Sequence, residues 1–170
     1  MQLLSITALA LAALSSPATA STAAHSSMSQ INDNLLATEQ SLSSWTGGIL
    51  TVPTVLMRAK TLMDSLNAGV AATKSTGTLT QEESKNLAEL AKNSGESARQ
   101  LSDSLVAAKS KFAQIPLADA FISSLMGAYA KKTEDLGTAL EDKVPETNKR
   151  VAEAIESIQE SIKAAQDAYN

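Results

Sequence analysis

The chain has 170 residues, a formal net charge of −4 and a sequence pI near 5.0; 44% of it is hydrophobic, only 3% is aromatic, and it has no cysteine. This excludes disulfide-stapled scaffolds and thiol chemistry. The 14 basic residues are dispersed rather than clustered, which excludes the phosphate-binding footprint of a nucleic-acid partner.

In chain order, residues 1–20, MQLLSITALALAALSSPATA, combine an apolar run from Leu3 to Leu14, a break at Pro17 and a small-x-small ending at Ala18-Thr19-Ala20. The pattern is that of a secretory signal peptide, without Lys or Arg at its start, and its apolar run is too short to span a bilayer. Cleavage is expected after Ala20, leaving about 150 residues, enough for one buried domain. Residues 21–28 are rich in Ser and Ala and are expected to be a flexible segment, with His25 an exposed tail residue; residues 29–170 are expected to form the folded domain.

From Ser29, the residues Ile31, Leu35, Leu42 and Trp45 recur at helical spacing with Thr38 in the one polar place, and Gly47-Gly48 are placed to close that helix. Pro53 suits the first turn of a second helix, whose stripe runs Val55, Leu56, Ala59, Leu62, Met63, Leu66 and Val70. Thr80 and Glu83 have the spacing of a capping box and start a third. Its inward positions are Leu87, Leu90, Ala91, Ser94, Ala98, Leu101, Leu105 and Phe112, and the stripe runs past Gly95 as one long helix with a place to bend. After Pro116 a fourth helix carries Phe121, Leu125, Met126, Tyr129, Leu136 and Leu140 up to Val144. Pro145 starts the fifth, where Val151, Ile155, Ile158, Ile162, Ala165 and Tyr169 alternate four and three apart, the seam of close antiparallel packing. No segment reads as a strand, so the fold class is all-α, an antiparallel five-helix bundle with helices of roughly 25 to 50 Å.

Chemistry finds little footing. There is no Gly-x-Ser-x-Gly elbow, no inward Glu-x-x-His pair and no base to activate a hydroxyl. Glu82, Glu83, Glu153, Glu156 and Glu160 fall between the apolar positions, where they face water. Neither an enzyme, nor a metal site, nor a cofactor is expected.

What remains is a long aliphatic inner surface that either packs shut or lines a slot for an elongated apolar ligand. Its candidate lining is Leu35, Leu42 and Trp45 on the first helix and Leu56, Met63 and Leu66 on the second. Leu90, Leu101, Leu105 and Phe112 on the third, with Phe121, Leu125, Leu136 and Leu140 on the fourth, continue it. Ile155, Ile158 and Ile162 on the fifth close it. Thr38, Ser94 and Thr133 interrupt this surface; such groups commonly bond back to their own helix, and alternatively meet a ligand's polar head. Lys132, beside Thr133, is placed to serve an anionic head if its helix rolls. Each buried methylene of an acyl chain contributes about 0.8 kcal/mol, enough to offset ordering costs.

The order of parts resembles the fungal hydrophobic surface-binding protein A family, which includes the cell-wall galactomannoproteins. The segments that carry the resemblance are SWTGGIL at the end of the first helix, LSDSLVAAKSKF in the third and LGTALEDKVPETNKRVAEAIESIQESI at the junction of the last two, with LEDKVPE, Leu140 to Glu146, the most suggestive. The resemblance covers most of residues 29–169. It implies a five-helix bundle and a secreted protein that adsorbs to hydrophobic surfaces, in some members helping a polyester hydrolase to its substrate; related members hold fatty acids in a central cavity. The polar C-terminus, AQDAYN, fits the free secreted type, extracellular or loosely wall-associated, rather than a lipid-anchored one. Two functions follow as expectations: a carrier that holds a fatty acid or similar lipid between its helices, or a protein that coats apolar surfaces or recruits a secreted hydrolase without a stoichiometric lipid.

Overall fold

The computed structural model describes residues 17–144 and 149–170, with side chains from Thr22 onward. The body of the expected signal peptide and the Pro145 start of the last helix therefore lie outside the described residues. Five helices follow one another: α1 Pro17–Ser43, α2 Val52–Ser75, α3 Gln81–Phe112, α4 Ala118–Glu141 and α5 Lys149–Tyr169, and no strand occurs among the described residues.

The local signals act where the sequence places them. Pro53 sits in the first turn of α2, where its missing N–H has no intrahelical partner to lose. At the start of α3 the Thr80 hydroxyl accepts from the Glu83 N–H at 3.3 Å while the Glu83 carboxylate accepts from the Thr80 N–H at 2.8 Å. Both donors would otherwise be orphaned. Gly95 leaves α3 unbroken, and the space above its Cα is filled by the Ala154 carbonyl and Ile158 of α5.

Both ends of α1 differ from expectation. Residues 21–28 are helical rather than flexible, because Ala24 and Met28 extend the four-three rhythm of Ile31 and Leu35 and are buried with them. His25 is not a free tail residue either: its Nε2 donates to the Glu83 carbonyl at 3.2 Å. At the far end the helix stops at Ser43, ahead of Trp45 and the glycines. The Ser44 hydroxyl takes the Gln40 carbonyl at 2.6 Å and the Trp45 N–H takes that of Leu42 at 3.1 Å, which satisfies the last turn early. Gly47 and Gly48 then adopt φ of 97° and 101°, in the left-handed region that glycine enters without strain.

The helices close into a ring. Around it α1 packs on α2, α2 on α4, α4 on α5, α5 on α3 and α3 on α1, so that α2 and α3, consecutive in sequence, are not neighbours. Consecutive helices alternate in direction, as the antiparallel reading requires. A ring of five cannot alternate at every contact, however, and cross-links show where it does not. Ser97 donates to Asn32 at 2.9 Å and Ser104 to Glu39 at 3.0 Å, so α1 and α3 advance together. Tyr129 meets Ala59 while Leu136 lies near Gly69, so α2 and α4 do too. The α5 stripe packs antiparallel on α4 and parallel on α3: Gly137 faces Ile155, and the Tyr169 hydroxyl donates to the Leu105 carbonyl at 2.6 Å.

A ring of five cylinders about 10 Å across leaves an axial gap of about 7 Å, which side chains must fill or leave open. Leu42, Leu62, Leu87, Leu136, Leu140 and Val151 are fully buried and fill much of it. On α2 the buried stripe is narrower than the expected one, and on α4 it is shifted from it. α2 buries Val55, Ala59, Leu62, Leu66 and Val70, leaving Leu56 exposed and Met63 half-buried. α4 buries Ile122, Met126, Tyr129, Thr133, Leu136 and Leu140, with Phe121 exposed and Leu125 half-buried. In both cases two adjacent apolar residues compete for one inward place, and the residue that continues the four-three spacing wins.

Candidate ligand-binding site

Two apolar chambers are stacked along the axis of the ring. The outer one, about 320 Å³, is enclosed by α1, α2, α3, α4 and the turn before α4. It opens where its wall is exposed, at Leu56 on α2 and at Leu117 and Phe121 beside and on α4. These residues border the seam between α2 and α4, the thinner of the two that α4 makes within the ring. The inner chamber, about 40 Å³, lies mid-bundle and reaches Ser94, Ser102 and Thr133. Leu101, Leu105, Met126 and Tyr129 line both and form the partition between them. From Phe112 to Ser94 along α3 the pair spans about 27 Å at ~1.5 Å per residue.

Among the described residues no charged side chain lines either chamber. Among the described residues lining the outer one, the side chains that carry polar groups are Thr38 and Tyr129, and both are satisfied: Thr38 donates to its own helix at Asn34, 2.6 Å, and Tyr129 to the Ala59 carbonyl across the α2/α4 seam, 2.5 Å. Burial pushes the Tyr129 hydroxyl well above the ordinary tyrosine range, so it stays a donor. Ser94 differs. It is 0% exposed and its Oγ has no hydrogen-bond partner among the described residues. Leaving such a group unmatched costs about 1–3 kcal/mol.

The hydrophobic surface binding protein A family matches residues 21–142. The chain belongs to this family. No curated protein matches it in sequence. Among solved structures, this family member is similar to Afmp4p in complex with palmitic acid, with a TM-score of 0.84 at 20% identity over 88% of this chain and 99% of that one. It is also similar to ligand-binding domain 2 of the Penicillium marneffei MP1 protein complexed with multiple arachidonic acids, at TM-score 0.80, 15% identity, 87% of this chain and 94% of that one. Ligand-binding domain 1 of the same protein, complexed with arachidonic acids, follows at 0.69 and 13%, covering 90% and 95%. At these identities the likeness establishes the shared fold.

In this hydrophobic surface binding protein A family member, the residues expected to line a slot divide into three groups. Thr38, Leu42, Leu56, Leu101, Leu105, Phe112, Phe121 and Leu125 border the outer chamber. Leu35, Leu66, Ser94, Thr133, Leu136, Ile158 and Ile162 border the inner one, which Leu101 and Leu105 share. Trp45, Met63, Leu90, Leu140 and Ile155 border neither. Trp45 is buried one ring away, its centroid 4.5 Å from that of Phe112 and its indole N–H donating to Thr51 at 2.9 Å. It caps the layer behind the cavity instead of lining it. Leu140 and Ile155 pack against the far half of the bundle, where Gly137 lets α4 and α5 approach closely. Lys132 pairs with Asp135 at 3.2 Å and is not turned toward the chambers.

Sequence reasoning missed the lining supplied by Val52, Pro116 and Leu117, which belong to a helix end and a turn, and by Ile122 on α4; Ile115, where the α3 stripe was expected to end, lines the chamber from the turn beyond that helix. A signal was present in the run Ile115-Pro116-Leu117, apolar in a place where turns are ordinarily polar. Among the described residues no cluster of His, Asp and Glu is placed to hold a metal ion, and no helix is long and apolar enough to cross a membrane.

Proposed function

We propose that this protein is a secreted carrier that takes the apolar chain of a fatty acid, or of a similar elongated lipid, into the stacked chambers of its helix ring. The observation that carries this reading is the outer chamber of about 320 Å³, open to the surface and lined by apolar side chains apart from two already satisfied hydroxyls. That volume is in the range of small-molecule sites. Similar folds in complex with palmitic and arachidonic acids support the ligand class. Among the described residues no cation lines either chamber, so an ionised carboxylate does not belong inside, where its burial would be severely unfavourable. A neutral head fits the inner end, where Ser94 lacks a partner among the described residues and Thr133 stands nearby on the same chamber. An ionised head fits the mouth. The role is binding rather than catalysis, and secretion follows from the leader-like first residues.

Organic extraction of the purified protein followed by mass spectrometry tests this directly. A carrier releases lipid, or gains thermal stability when fatty acid is added to the stripped protein, because ligand binding to the folded state alone pulls the equilibrium. Neither outcome, together with strong retention on hydrophobic beads, would leave the second reading: adsorption to apolar surfaces, or recruitment of a secreted hydrolase to them. The exposed apolar residues at the chamber's mouth favour that reading.

A further inference from the structure

The large apolar side chains exposed among the described residues are confined to one end of the bundle: Ile49, Leu50, Leu56 and Met57 in the α1–α2 turn and the start of α2, Val106 late in α3, and Leu117 and Phe121 at the start of α4. This is the end at which the outer chamber opens, and Leu56, Leu117 and Phe121 belong both to its wall and to the exposed patch. Leu50 is 91% and Leu117 83% exposed. Leu117 also holds φ of 64°, unfavourable for a branched side chain, so its backbone stores strain while presenting an apolar group to water. In a chain of net charge −4, residues 40–63 and 104–118 contain no Asp or Glu. Their cations are Arg58, Lys60, Lys109 and Lys111; Lys60 pairs with Asp64, Lys111 caps the Trp45 carbonyl and Lys109 that of Ala168.

We propose that this end docks on a phospholipid bilayer, with the Ile49-Leu50 turn and Leu117 entering its interfacial layer, and that ligand passes between the bilayer and the chamber without crossing water. The occupant follows from continuity and chemistry. Leu56, Leu117 and Phe121 join the patch to the wall of a chamber whose apolar lining suits acyl chains, and a bilayer is the surface that supplies or receives such chains. Entering it buries no carboxylate from these two segments, while Asp119, between Leu117 and Phe121, is half-buried and lies near Tyr169 of α5; the long stems of the basic side chains allow their charges to stay at head-group level. The transfer step rests on the carrier reading above; the docking step does not.

Flotation of the full chain with phosphatidylcholine vesicles tests docking, in low salt and in 1 M NaCl. Transfer of a fluorescent fatty acid from the loaded protein to vesicles, followed against vesicle concentration, tests exchange. The protein should float with neutral vesicles at both salt concentrations, and the transfer rate should rise with vesicle concentration. The double variant Ile49→Asp/Leu50→Asp lies outside the chamber wall; it should keep its affinity for fatty acid and lose flotation and transfer about tenfold. A transfer rate independent of vesicle concentration, or a double variant that floats like the parent, overturns the proposal. So does binding that requires anionic lipid and vanishes in salt, or retention on polymer beads without vesicle binding. If the protein takes up no fatty acid at all, the carrier reading fails and flotation still decides the docking.

Discussion

The Tyr129 hydroxyl of α4 donates to the Ala59 carbonyl of α2 at 2.5 Å, joining the two helices that border the chamber's mouth. Tyr129 also stands in the partition between the two chambers. Tyr129→Phe keeps the ring and removes this tie, while Ala59 keeps its helical hydrogen bond. A stability loss of about 1 kcal/mol is expected in urea titration. Ligand dissociation, followed by stopped flow, should become faster, because the α2/α4 seam then lacks its hydrogen bond at the chamber.

The same hydroxyl sets an alkaline limit. Burial raises Tyr129 above the ordinary value of 10.0, and Tyr169 is raised by burial first and by the charge of Asp119 second. Below pH 10.0 both states hold the proton and the contribution to stability is full. Above it the unfolded chain gives up the proton while the folded one keeps it, so stability falls as pH rises toward the folded value. Tyr129 should contribute a slope of about 1.4 kcal/mol per pH unit in that window. Urea midpoints of the parent should therefore drop more steeply than those of Tyr129→Phe between about pH 9 and pH 11.

Ser94 gives opposite signs in the empty and loaded protein. Its buried Oγ has no partner among the described residues, so Ser94→Ala removes an unmatched group and should leave the lipid-free protein as stable or up to about 1 kcal/mol more so. If a ligand oxygen docks there, the same variant should show a smaller rise in melting temperature on adding a fatty alcohol. Equal ligand-induced shifts in the two proteins would remove Ser94 from the site.

Two glycines at helix crossings separate by the stiffness of their neighbours. A Cβ on Gly137 would stand 2.7 Å from Cγ2 of Ile155, a branch held close to the backbone, whereas on Gly69 it would stand 2.8 Å from Cδ1 of Ile31, the far end of a flexible chain. Gly137→Ala should push α4 from α5 and destabilise by about 1–3 kcal/mol. Gly69→Ala should be nearly neutral, since Ile31 can swing aside and alanine favours the helix by about 1 kcal/mol. Thermal melts of the two variants check the contrast.

Met126 is the flexible member of the partition. Met126→Trp should fill the passage to the inner chamber and confine ligands to the outer one. Affinity for long acyl chains should fall by about tenfold, equal to about 1.4 kcal/mol, while short chains bind as before. Titrations across a series of chain lengths measure this.

Much of the scaffold is legible in the chain itself. The five helices, the Thr80–Glu83 cap, the Pro53 start of α2 and the α5 stripe of Val151, Ile155, Ile158 and Ile162 depend on groups within a few residues of each other, and local hydrogen bonding and periodicity decide them. The first turns of α1 were concealed because Ala24 and a run of serines look like a linker until Met28 and Ile31 are seen packing beside them. The absence of charge from the interior is legible as well, since Lys, Arg, Asp and Glu fall between the stripes.

The chambers are a different kind of feature. Periodicity says which residues share a face and nothing about the distance to the face opposite; a void is set where side chains from four or five helices, far apart in sequence, all fall short of one point. Closure of α1, α2, α4, α5 and α3 into a ring, with α2 and α3 kept apart, creates the axial gap. The placing of Ile122 rather than Phe121, and of Val55 rather than Leu56, on the inner face then leaves two large apolar residues at the mouth. Only packing in three dimensions decides that, because neighbouring apolar residues on one helix are equivalent until a particular partner helix takes its place.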